Sequence, residues 1–520
     1  MRYTQEEHSS IFHIEDVGDR TTQEVLGIAG RLIDISFDLR QISGITKAAR
    51  FLDDIETREL NAIEQTRLHY FRANAIANES CLDDQLQSRL WSWERKDIED
   101  QILCLRRALR AGLDSTIPPE LLCAVQTNLG NILSQVGRFV EAIEYWNRAL
   151  AVLSDFGMAQ ANRGVALCHY AKAVHHPHDA LPLLRRAVAD LEEGIRSRNL
   201  VEQSIEYFGQ YHSWAAENMA MLESHVLSHR TSYGSIDAEA EYRKWCAENT
   251  LCLNILNDIA SDPTSARDSL LLPPITLPIA TGPRYHGLFN QLKQEYVAAR
   301  FHFYEAIMSR EVHFSDLGVD LYNTLDYPSY SIAVERLKVA FRVCYSLFDK
   351  IAFFLNAYLE FGIPFDKVSF KSCWYISQTR SKGLRTELAT FQNWPLRGLF
   401  WLSKEVYEKE AGFNDALEPD AQDLAELRNH LEHKYCKVHK FGAPQQLSLV
   451  REAVLSDDLA YSIGRQELES KTLRLLKTTR AALIYLALTV KAQESLKIGT
   501  TSPGKTLEMP ITLFDDSWKF

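Results

Sequence analysis

The run Leu424-Ala425-Glu426-Leu427-Arg428-Asn429-His430-Leu431-Glu432-His433-Lys434-Tyr435 brings a guanidinium, a carboxamide and an imidazole close together in the chain. An imidazole can move a proton near neutral pH, and a guanidinium can hold an anion with planar paired donors. The spacing predicts a helix. With Leu427 as reference and about 100° per residue, Leu424, Leu431, Tyr435 and Val438 share an arc roughly 60° wide, the buried stripe. Arg428 falls at the edge of that arc, and Asn429 and His433 point roughly the opposite way. Arg428, Asn429 and His433 are thus offered to solvent, a ligand or a second chain. Lys434, Lys437 and Lys440 follow, with Glu432 as the opposing charge. A plainer reading competes: Arg428 and Glu432, four apart, form a surface ion pair worth a few tenths of a kcal/mol. His430 is a second imidazole in the same run.

Something must position these groups, and the chain is long enough to do it. At 520 residues it exceeds the size of one growing core, so two or three domains are expected. Hydrophobic residues make up 46% and charged residues 24%, ordinary for a globular protein. The formal net charge of -12 argues against a surface coated in Lys and Arg for sequence-independent nucleic-acid binding, although it leaves room for a local basic site. The nine cysteines include no C-x-x-C pair and several fall in apolar helical runs, which points to reduced, buried thiols. The N-terminus lacks a signal-peptide apolar region, and no apolar run is long enough to span a membrane. A soluble, cytoplasmic protein is expected.

From 59 to 196 the pattern is almost continuously amphipathic helix. Thr127–Leu150 places Leu129, Gly130, Gly137, Phe139, Ala142, Trp146 and Ala149 at the small and large positions of a helical hairpin. Asn128-Leu129-Gly130 recurs as Asn162-Arg163-Gly164, 34 residues on. This resembles the tetratricopeptide repeat, with weaker copies upstream and roughly three to four repeats in all, enough to bury a continuous core. His175-His176-Pro177-His178 reads as a solvated turn expanding the second hairpin rather than a metal site.

The polar stretch 230–237 is the best boundary. Beyond it come a helix from Glu241, a loop 262–283 with five prolines, and a helix over Tyr285–Arg310. The longest candidate, Ser331 to Glu360, has the stripe Val334, Leu337, Phe341, Cys344, Phe348, Ile351, Leu355 and Tyr358. Asp349 and Asn356 interrupt its apolar surface and need partners on a neighbouring helix or at the site. Basic and aromatic residues alternate over 369–397, where ordinary surface charge is the simpler reading than base stacking. Asp420 reads as the N-cap of the Arg428 helix. A last long helix is expected over Leu459–Ser495. The division is therefore 1–58 helical segment, 59–230 repeats, 238–497 helical domain and 498–520 tail.

Arg428–His433 fits the R-x4-H pattern of the HEPN superfamily, with Asn429 after the arginine. The segments YRKWCAENTLCLNILND, FNQLKQEYVAAR, YNTLDYPSYS, YSLFDKIAFFLN and ELRNHLEHKY are similar to a HEPN subfamily preceded by tetratricopeptide-like repeats. The resemblance implies an all-α fold, a homodimer through the HEPN domain with two motifs facing each other, and metal-independent endoribonuclease activity without a cofactor. His433 would be the base for the 2′-OH, Arg428 the charge stabiliser, and Asn429 an orienting group. Lys434 and Lys437 would grip the RNA, a tRNA or mRNA. Since Arg428 and His433 lie about 140° apart on one helix, two copies are better placed than one to reach a single phosphate. The implied role is a toxin or anti-phage effector gated by its repeats, whose groove would take a protein or peptide partner. The alternative is a non-catalytic tetratricopeptide scaffold that keeps the HEPN domain for dimerisation.

Overall fold

Local sequence sets the helix starts. Thr21 Oγ1 accepts from the Glu24 amide while the Glu24 carboxylate accepts from the Thr21 amide, and Asn61 and Glu64 repeat this reciprocal cap. In the computed structural model, residues 10–84, 91–112, 116–197, 200, 202–223, 231–278, 281–406, 421–440, 457, 459–500, 507 and 509–519 are described. The expected cap at Asp420 and the start of the boundary at Arg230 lie outside them.

Helices α1 (Thr22–Asp38), α2 (Ile42–Glu56) and α3 (Ala62–Leu82) close a small apolar cluster around Val25, Leu32, Ile45 and Phe51. Then come α4 (Lys96–Ala111), α5 (Pro119–Gln135), α6 (Phe139–Val152), α7 (Gly157–Ala173), α8 (Pro177–Arg196) and α9 (Glu202–Glu223). They pack as successive hairpins, α3 on α4, α5 on α6 and α7 on α8, consistent with repeats. Gly130 is small because a Cβ there would sit 2.7 Å from Trp146 Nε1. Trp146 fills that space and donates to the Asn131 side chain at 3.1 Å. His175–His178 form the entry to α8, with Pro177 in its first turn where no amide donor is needed.

The C-terminal half contains α10 (Asp237–Glu248), an extended segment pinned by buried Leu270 and Leu272, α11 (Arg284–Met308), α12 (Ile332–Tyr358), the short α13 (Thr386–Thr390), α14 (Trp394–Val406), α15 (Ala421–His433) and α16 (Arg465–Thr500). α12 is central, packed on α11, α15 and α16, and its expected stripe is buried throughout. Asp349 and Asn356 find partners in the loop after α12. Asp349 accepts from the Phe370 amide at 2.9 Å, and Asn356 makes a paired bond with the Ile363 backbone. In the basic-aromatic stretch Trp374 is buried, Arg385 donates to Cys373 and Phe361 carbonyls, and Arg397 to Gln135 and Ser92 carbonyls. Those groups hold the architecture together.

One departure from the helical reading matters. The Arg428 helix ends at His433, and β1 (Tyr435–His439) pairs in parallel with β2 (Ala460–Gly464), Tyr435 opposite Ala460. Tyr435 and Val438 therefore leave the helical stripe, and the last helix starts at Arg465 instead of Leu459. Aromatic and β-branched residues suit strands, but the parallel partner lies far along the chain, where local periodicity cannot reveal it.

The repeats and the C-terminal half share one apolar core. Phe139 stacks on Trp394 (4.3 Å, 26°) and meets Tyr485 edge-on (4.9 Å, 70°). Gly137, at φ +89°, brings the α5–α6 turn against the backbone of α14. Buried charges run along the same seam. Glu405 on α14 pairs with Arg106 at 2.6 Å and with Arg138, and Arg480 pairs with Asp258 at 2.6 Å, which also accepts from Tyr170 at 3.0 Å.

Candidate functional site

α15 buries Leu424 and Leu427, and this fixes the orientation of everything after them. Arg428 follows and is half-buried. Its guanidinium lies over the ring of Tyr345 on α12, 5.5 Å from the centroid, and Nη1 donates to Asn429 Oδ1 at 3.1 Å. Tyr345 is itself locked: it is buried and its hydroxyl donates to the carbonyl of Val406, the last residue of α14, at 3.0 Å. Arg428 thus rests on a platform held by two helices, and its fork turns to Asn429 instead of Glu432. Asn429 has a positioning contact before any ligand arrives.

His433 is exposed at the C-terminal end of α15, with exposed Lys434 next to it. His430 is occupied otherwise. Its Nδ1 bonds the Glu426 carbonyl at 2.9 Å, and its ring stacks on Tyr461 of β2 at 4.9 Å. Of the two imidazoles, the one at the motif spacing is therefore the one displayed.

Lys437 departs from its expected place. It lies on β1, only 3% exposed, with Nζ 2.6 Å from Asp326 and 2.8 Å from Asp457. Burial opposes its charge, but hydrogen bonds to both carboxylates raise its pKa above the ordinary lysine value. An ammonium so neutralised ties β1 to its neighbours and does not reach out to a polyanion. The expectation of Lys437 as a substrate contact is corrected by that burial. Lys434 keeps its exposure.

Two features were not read from the sequence. Tyr345 hides beside Cys344 in the α12 stripe, indistinguishable from core. The segment between α11 and α12 is an exposed apolar ribbon: Phe314 is 78% exposed, Leu321 59% and Tyr322 98%. It is fastened beside β1, where the Ser329 amide donates to the Val438 carbonyl at 2.7 Å, and by the Asp326–Lys437 pair. Exposed large apolar side chains gathered on one segment make it a candidate contact surface. Among the described residues no cluster of three metal-ligating side chains occurs, and no helix is long and apolar enough to cross a membrane.

The C-terminal half is a helical bundle with one two-stranded sheet, and it carries the R-x4-H motif on a helix packed against its central helix. Residues 276–493 match the family model of the LA2681-like HEPN domain, so this part of the chain is a HEPN domain of that kind. The match runs from the extended segment before α11 into α16 and contains Arg428–His433. No curated protein and no solved structure matches the chain.

Proposed function

We propose that the protein is a metal-independent endoribonuclease whose active site is completed by a second copy of the chain. The observation that carries this reading is the arrangement on α15 within a HEPN domain. Arg428 rests on Tyr345 and Asn429, while His433 stands exposed about 140° further round the same helix. Two α15 helices face to face give a phosphate a cation from one and a base from the other. The apolar ribbon beside β1 supports the second copy, because it lies next to the strand that follows His433.

In this mechanism His433 takes the proton of a ribose 2′-OH, and O2′ attacks the adjacent phosphorus. Arg428 stabilises the negative charge that builds on the non-bridging oxygens, and Asn429 holds the guanidinium for it. The 5′-oxygen leaves with a proton from an imidazolium, giving a 2′,3′-cyclic phosphate and a 5′-hydroxyl. Lys434 adds a contact to the RNA backbone. The proposed biological setting is a toxin or anti-phage effector acting on tRNA or mRNA. The shared core between repeats and α14 supports control of the site from the repeat side.

The test is total RNA incubated with purified protein in excess chelator. Cleavage is expected, and loss on the order of 10²- to 10⁴-fold in Arg428→Ala and His433→Ala. Equal cleavage by wild type and both variants removes the assignment. Slower growth on expressing wild type than on expressing Arg428→Ala is the expected cellular counterpart.

A further inference from the structure

Two stretches of irregular chain line one cleft, and they are held very differently. The cleft has a volume of 2730 Å³ and lies between the start of α8, the extended segment before α11 and α11 itself. Leu507, Met509–Phe514, Asp516 and Lys519 of the C-terminal tail line it as well. The body side is pinned. The Leu270 amide donates to the Leu253 carbonyl at 2.8 Å, Lys293 Nζ to the Leu270 carbonyl at 2.6 Å, and the Thr276 amide to Glu494 of α16 at 2.9 Å. Leu270 and Leu272 are buried, so the extended segment offers a fixed wall. Leu271, Phe289 and Val297 make that wall apolar, and Arg243, Arg267 and Lys293 add cations to it. Arg267 is exposed and makes no hydrogen bond or ion pair among the described residues.

The tail is not pinned. Among the described residues, every hydrogen bond of the tail closes within the tail itself. Asp515 accepts from the Ser517 amide at 2.8 Å and caps a single turn, Asp516 pairs with Lys519, and Phe514 meets Trp518 edge-on at 5.5 Å. Its apolar side chains remain largely in water: Met509 is 61% exposed, Ile511 53%, Leu513 73% and Phe514 61%. The tail therefore realises less than half of the apolar burial that a fully seated chain would gain. Its sequence still suits the wall. Met509, Ile511 and Leu513 recur at alternate positions, the period of an extended chain, and Pro510 favours that conformation in Met509. Asp515 and Asp516 supply carboxylates for a wall that carries cations.

We propose that this cleft is a peptide-binding site and that the C-terminal tail is its resident, detachable strap. The partner is an extended peptide with the pattern of the tail: alternating apolar residues, then two carboxylates and an aromatic. Attached just beyond α16, the tail meets the cleft at an effective concentration on the order of millimolar, so a weak fit keeps it in place. A free peptide displaces it by seating more of its apolar surface. The cleft is bounded by the repeats through α8 and by the HEPN domain through α11. It does not depend on the ribonuclease assignment.

The probe is a synthetic peptide of residues 507–520 with an N-terminal fluorophore, added to full-length protein and followed by polarisation. Ile511→Asp with Leu513→Asp in the full chain weakens the strap at exposed positions and leaves the body intact. This strap variant is expected to bind the peptide about tenfold or more tightly than wild type, because the tethered competitor is gone. Adding Leu271→Asp, at a wall position 42% exposed, is expected to abolish that gain, and adding Arg267→Glu to reduce it several-fold, both at unchanged melting temperature. Equal binding by wild type and the strap variant would overturn the strap. No binding by the strap variant up to millimolar peptide would overturn the site. Binding that survives both Leu271→Asp and Arg267→Glu would put the peptide elsewhere and overturn it too.

Discussion

At the residue scale, two lysines that look alike in the sequence have opposite circumstances. Lys434 is exposed beside His433, whereas Lys437 is buried between Asp326 and Asp457. Removing a buried charge leaves its partner uncompensated, while removing a rim charge costs the fold little. Lys437→Gln is therefore expected to lower the melting temperature, and Lys434→Gln to weaken RNA binding at unchanged melting temperature. Thermal unfolding and a filter-binding titration separate the two, and the reverse pattern would restore Lys437 as a substrate contact. Tyr345→Phe keeps the ring under Arg428 but leaves the Val406 carbonyl without its donor, at a cost of about 1–3 kcal/mol. Chemical denaturation checks that figure, and cleavage is expected to survive. Arg428, Asn429 and His433 could be singled out as candidates because the motif has a spacing. Tyr345 was not, because an aromatic on a core stripe carries no sign of what lies above it.

At the element scale, α14 joins the repeats to the site. Glu405 takes Arg106 and Arg138 from the repeat side, and the next residue, Val406, takes the Tyr345 hydroxyl from beneath Arg428. Burial opposes the Glu405 charge, but Arg106 and Arg138 outweigh it and hold the pKa at about 2. An unfolded glutamate titrates at about 4.3, so the folded carboxylate is the stronger acid. Its stabilisation is present above that unfolded value and is lost as pH falls through about 2. Glu405→Gln is expected to cost about 3–5 kcal/mol near neutrality and to flatten the stability profile in that acid window. A variant with wild-type acid sensitivity would place the control elsewhere. The helices themselves were legible wherever threes and fours recur, as along Val334–Tyr358. β1 and β2 were not, since a parallel pair is set by partners distant in sequence.

At the scale of the whole molecule, the change of composition near 230–237 suggested separate halves, yet Phe139, Trp394 and Tyr485 form one aromatic junction. Contacts between residues so far apart leave no mark on local pattern, so the shared core could not be read in advance. The same holds for the apolar ribbon, whose exposure depends on where β1 fastens it. Phe314→Glu with Leu321→Glu is expected to convert a dimer to a monomer in sedimentation, with unchanged melting temperature. Cleavage should fall with dimerisation, because the proposed mechanism draws its cation and its base from two copies. A fully active monomer would break that link.

The central claim is that His433 activates a 2′-hydroxyl of RNA, and the ends of the product test it most directly. Wild-type protein in chelator, acting on an oligoribonucleotide it cleaves, is expected to leave a 2′,3′-cyclic phosphate and a 5′-hydroxyl. The same oligonucleotide with a 2′-deoxy sugar at the cleaved position should stay intact, as should the ribo form with His433→Ala. A 5′-phosphate product, cleavage at the deoxy position, or undiminished cleavage by His433→Ala would contradict the account.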